Sequence, residues 1–111
     1  MNLDSILELF RIACNPEEYV KYAERNTVGR AKVNGLVVST LVTKDLGPET
    51  AILDKNGTHP VQRYCDKIEA ERGHKEWVEK AKTIEKVIKL GYPGADIENE
   101  EVTLLRGYEG D

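Results

Sequence analysis

Arg63, Tyr64, His74 and Trp77 are the side chains whose types could bind or polarise a ligand and whose spacing holds them at one junction, where a strand hands over to a helix. A guanidinium grips carboxylate or phosphate through a directional fork, an imidazole changes charge near neutral pH, and a phenol both donates and accepts. Arg63 precedes the helix start closely enough to meet an anion drawn to the helix N-terminal amides, although Asp66 at the cap competes for them. Arg106, near the end of the last expected strand, could join from a neighbouring chain. The candidate ligand-binding set is therefore Arg63, Tyr64, His74 and Arg106.

Plainer readings stand beside these. His74 shares a stripe with Trp77, which is also the setting of a histidine hydrogen-bonded at a helix–sheet boundary. Arg72 sits among Glu69, Glu71 and Glu76, at spacings that pair charges along a helix. No bond-breaking set is complete. Zinc takes about four ligands at compatible spacing, and Cys14, His59, Cys65 and His74 form no paired chelating motif. Cys65 lacks the base and orienting group a nucleophile needs and reads as a small buried hydrophobe. No paired carboxylates on a helix and no phosphate-cradling glycine loop are present, so no catalytic residue, metal or cofactor is expected.

The elements that must position these side chains follow from periodicity. Leu3, Ile6, Leu7, Phe10 and Ala13 lie on one helical face, and Asn15-Pro16-Glu17-Glu18 opens a second helix, giving a helical arm over 1–26. Asn34-Gly35 marks a hairpin turn. The strand after it, LVVSTLVT, is apolar on both faces and so belongs inside a sheet. Glu49 to Asp54 and Val61 to Cys65 give two further strands around a Lys55-Asn56-Gly57-Thr58 turn, and the sheet spans 29–65.

Asp66 caps a long helix expected over 66–90, with Ala70, His74, Trp77, Ala81, Ile84 and Ile88 as its seam and Leu90-Gly91 with Pro93 as its stop. Gly73 costs about 1 kcal/mol in a helix interior, which suits close backbone approach there, the alternative being simple tolerance. An edge strand is expected over 101–106. The fold class is α+β: a small, mostly antiparallel sheet packed against one long C-terminal helix, with the helical arm in front.

The 111 residues suit one domain. A net charge of −4 supplies no basic field for nucleic acid, and no apolar run approaches the roughly 20 residues that cross a bilayer. Two cysteines outside any C-x-x-C spacing, with no signal-peptide pattern, lead to the expectation of a cytoplasmic protein with free thiols. The modest core and the helix seam suit a homo-oligomer.

Val38-Ser39-Thr40, Glu49-Thr50, Arg63-Tyr64 and then Ala70 with Gly73-His74 stand in an order that resembles a family of small tailed-bacteriophage and prophage proteins. Its signature runs V-S-T, E-T-M-V-F, R-Y, A-x-x-G-H, and the match covers about residues 37–78; Ala51 and Leu53 stand where the pattern has methionine and phenylalanine. The resemblance implies a non-catalytic accessory protein acting in the host bacterial cytoplasm. It would bind a host protein or, by analogy with phage counter-defence proteins of this size rather than by any motif, hold a small anionic ligand such as a nucleotide immune signal between subunits. The alternative is a minor virion component or assembly protein.

Overall fold

A computed structural model describes residues 26–44, 46–92 and 95–109. The expected helical arm, up to residue 25, and Cys14 lie outside them. Four antiparallel strands pair in sequence order: β1 (Thr27–Val33), β2 (Leu36–Thr43), β3 (Gly47–Asp54) and β4 (Gly57–Arg63). Asn34 and Gly35 both take positive φ, 46° and 80°, the combination a two-residue hairpin turn needs and the reason an asparagine–glycine pair stands there. β2 and β3 are the interior strands, as the two-sided apolar pattern of β2 predicts.

Helix α1 (Lys67–Ala81) lies on one face of this sheet against β1, β2 and β3. Asp66 caps it by accepting from the Glu69 amide at 2.8 Å, and the Glu69 carboxylate reaches back to the Cys65 amide at 3.1 Å. The buried residues of the helix are all small, Ala70, Gly73 and Ala81, and the half-buried Trp77 and Val78 pack against the core beside them. The main core gathers Val33, Leu36, Val38, Ile52, Val61, Ala81, Val87 and Leu104 between helix and sheet.

The long helix expected over 66–90 is corrected to 15 residues. Lys82, Thr83 and Ile84 close onto the carbonyls of Glu79 and Lys80, and the chain then extends into β5 (Lys86–Lys89), antiparallel to β6 (Glu100–Thr103). KVIK fits both periods. β-branched Val87 and Ile88 are stiff in a helix and settle well on a pleated strand, and Lys86 finds Glu101 across the ladder at 3.5 Å. Val87 turns into the core while Ile88 is exposed, so Ile84 and Ile88 are not members of a helix seam. The edge strand expected over 101–106 sits at 100–103 instead, with β5 as its partner.

The residues after β6 tie the ends of the sheet together. Leu104 donates to the Glu85 carbonyl, Lys55 donates to that of Leu105, and Gly107 and Tyr108 both donate to that of Gly35. Asp54, 1% exposed, accepts from the amides of Leu105 and Asn56 and stands 3.0 Å from His59 Nε2. Burial alone would raise its pKa; the Leu105 amide, His59 and the Asn56 amide outweigh it and hold Asp54 below the ordinary 3.8.

Candidate functional site

Consecutive strand residues face opposite sides of a sheet, so β4 and its exit sort the candidates. Gln62 and Tyr64 face α1. Arg63 faces away, where its cross-strand partner Glu49 takes its Nε at 2.9 Å. A register shift between Thr50 and Ala51 sets this up by leaving Val61 as an extra residue on β4. Gln62 Oε1 accordingly accepts from Trp77 Nε1 at 2.7 Å.

Tyr64 and His74 are joined through two threonines that cross the middle of the sheet. Tyr64 Oη lies 2.9 Å from Thr50 Oγ1, Thr50 Oγ1 lies 2.6 Å from Thr40 Oγ1, and Thr40 Oγ1 lies 2.8 Å from His74 Nδ1. Thr40 and Thr50 face each other in the β2–β3 register and are both fully buried. Buried hydroxyls are tolerated only when bonded, and here each has two partners.

Two glycines allow the close packing. A Cβ on Gly73 would overlap the Tyr64 ring, and one on Gly29 of β1 would come within 2.5 Å of the His74 ring. Gly73 is thus required by close approach, the first of the two readings of its cost in a helix. Burial lowers the His74 pKa from its ordinary 6.5. The Tyr64 pKa is raised by burial, an effect that the hydrogen bond with Thr50 opposes and the charge of Glu76 reinforces.

The Tyr64 end of this relay opens into a groove of about 280 Å³ between β4 and α1, lined by Gln62, Tyr64, Glu69, Arg72, Gly73 and Glu76. Two carboxylates against one guanidinium give it a negative balance. Arg72 forms no ion pair with Glu69, Glu71 or Glu76 among the described residues, contrary to the pairing its spacing suggests.

Of the four candidate ligand-binding residues, the fold brings Tyr64 and His74 into one network and leaves the two arginines out of it. Arg63 shares the far face with Glu49 and stacks 5.6 Å from the Tyr92 ring centre. Arg106 is held in its own chain, donating to the Asn34 carbonyl at 3.0 Å and the Ile84 carbonyl at 2.7 Å. Those contacts lie at the Asn34-Gly35 end of β1, about 17 Å along the strand from Gly29 and His74 at about 3.3 Å per residue. Cys65, expected as a buried hydrophobe, is exposed.

Thr40, Thr50 and Gln62 escaped the search for chemistry by residue type. The available signal was polarity out of place: a threonine inside LVVSTLVT must find a partner if that strand is covered on both faces. Among the described residues, no group of three or more His, Cys, Asp or Glu side chains is placed to hold a metal ion. No family model matches the chain, and neither a curated protein nor a solved structure matches it.

Proposed function

We propose that this is a non-catalytic phage or prophage accessory protein that binds a protein partner through the groove over Tyr64. One observation carries the reading. Residues on which the phage resemblance rests bond in two groups: Glu49 to Arg63 on the far face of the sheet, and on the helix face one cluster of Thr40 to Thr50 to Tyr64 and Thr40 to His74, with Gly73 against the Tyr64 ring. That coupled cluster ends in an open polar groove and includes no nucleophile with a base and orienting group beside it.

The sign of the groove favours a partner over a small anion. Glu69 and Glu76 flank Arg72, Arg63 is engaged with Glu49, and Arg106 stands at the other end of β1. A lysine or arginine side chain of a host protein suits this lining better than a nucleotide phosphate does. A thermal-shift screen separates the two, because a ligand at 100 times its Kd adds about 2.7 kcal/mol of stability. Arginine-bearing peptides and methylguanidinium are expected to raise Tm, and Glu76→Gln is expected to reduce the effect. A rise with nucleotides or cyclic nucleotides, and none with the cationic probes, would restore the immune-signal reading. No response to either, with the chain recovered from purified virions, would make it a virion component.

A further inference from the structure

What the Tyr64 hydroxyl offers to the groove is fixed from inside the molecule. Thr40 and Thr50 are each 0% exposed, and among the described residues their hydroxyls have no hydrogen-bond partners beyond the relay. A hydroxyl carries one proton. Each threonine must donate to one neighbour and accept from the other, or a buried O–H is left without an acceptor. All three bonds therefore point the same way along the chain, and only two orders exist.

In the first order Tyr64 donates to Thr50, Thr50 to Thr40, and Thr40 to His74 Nδ1. Among these groups the phenol is the most acidic hydroxyl and the neutral imidazole nitrogen the strongest base. Bonds running from acid to base reinforce one another in a buried chain, so this is the order for a neutral ring. A protonated imidazole has no free lone pair and donates from both nitrogens. All three bonds then reverse, and the Tyr64 proton turns out into the groove.

We propose that His74, acting through Thr40 and Thr50, decides whether Tyr64 presents a bare oxygen or an O–H to whatever occupies the groove. His74 is a positioning residue that sets specificity without lining the groove. With the ring neutral, Tyr64 adds an acceptor beside Glu69 and Glu76, which suits a guanidinium or ammonium. With the ring charged, that acceptor becomes a donor and the same occupant binds less well. The identity of the occupant rests on the groove reading above; the relay does not.

Among the described residues, the groups seen against the His74 ring from the sheet are uncharged. Gly29 faces His74 from β1, Thr40 from β2 and Thr50 lies one bond further on β3. On its own helix the ionisable residues within one turn are Glu71, Arg72, Lys75 and Glu76, and burial is the sole cause of its shift. At the other end of the relay Glu76 is the charge that acts on Tyr64.

The test is solution NMR of the full chain, following the His74 ring nitrogens and Tyr64 Cζ from about pH 8 to about pH 5, the range in which an imidazole titrates. We expect Nδ1 to be unprotonated at the upper end and Tyr64 Cζ to shift with the His74 midpoint. Glu76→Gln should keep that response. Thr40→Val should abolish it while His74 still titrates, and Thr40→Ser should restore it. Thr50→Val provides a second cut if Thr40→Val does not fold.

A Tyr64 resonance that ignores His74 in the wild-type chain, a protonated Nδ1 at neutral pH, or an undiminished response in Thr40→Val would each overturn the relay. Loss of methylguanidinium binding with the His74–Tyr64 coupling intact would overturn only the groove reading.

Discussion

A threonine hydroxyl in an apolar strand is a liability unless something bonds it, and Thr40 and Thr50 turn that liability into the connection between the two sides of the site. Truncating either strands its neighbours. Thr50→Val is expected to cost about 1–3 kcal/mol by leaving Thr40 and Tyr64 short of a partner, measured by denaturant unfolding. Gly73→Ala sets two effects against each other. Helix propensity would favour alanine by about 1 kcal/mol, but the new methyl overlaps the Tyr64 ring, and overpacking of this kind costs about 1–3 kcal/mol. A net loss of stability is expected, and it should shrink in the Tyr64→Ala background. Additive losses in that double-mutant cycle would show that the Gly73–Tyr64 contact carries no energy.

At the scale of elements, the short helix and the β5–β6 ladder share the residues that a single long helix would have claimed. Ala81, fully buried in the core at the last turn of α1, marks where helix gives way to turn. Ala81→Glu is expected to cost about 3 kcal/mol or more, because a carboxylate would enter the apolar core without a partner. Little change in the urea midpoint would count against this packing.

The two groups whose pKa is lowered, His74 and Asp54, also give stability a pH dependence. Because the His74 pKa is lowered from 6.5 on folding, the unfolded chain protonates first. The contribution of the neutral ring is whole above that pH and is lost as pH falls through the folded value. Asp54, lowered from 3.8, adds a second decline at more acid pH, again complete only once its folded value is passed. Asp54→Asn should remove the lower decline and leave the upper one, while His74→Gln should do the reverse. Melting curves across that range in both variants check the assignment.

Across the whole molecule, the relay and the closure of the sheet lie apart. The relay and groove occupy the end of the sheet where β4 enters α1, whereas the segment from Leu104 to Tyr108 binds the opposite end, at the turns that open β2 and β4. Arg106 belongs to that closure. Arg106→Ala should lower stability by about 1–3 kcal/mol, since it takes the charged donor from the part-buried Ile84 carbonyl, yet leave the Tm increment from a groove ligand unchanged. Tyr64→Phe should lose that increment with a loss of only about 1 kcal/mol in the free protein. If Arg106→Ala abolishes the increment instead, the two ends are not independent.

Local chemistry set out in one dimension determined a good part of this protein. Asn34-Gly35 signalled a turn, LVVSTLVT read as an interior strand, Asp66 as the start of the helix, and a glycine one residue before His74 pointed to close approach or to tolerance. These are properties of short windows, in which φ, alternation and capping are decided by adjacent residues. The end of the helix was not of that kind: KVIK satisfies both periods, and EEVT, brought alongside by the tertiary fold, chose the strand. The site was likewise only half legible. Tyr64 and His74 were visible by type, but the threonines joining them come from two other strands. Whether Arg63 joined them depended on strand parity after a register shift, and whether Arg106 did depended on where the last segment crosses the sheet. Such juxtapositions are decided by register and packing among distant residues, and only the folded chain contains them.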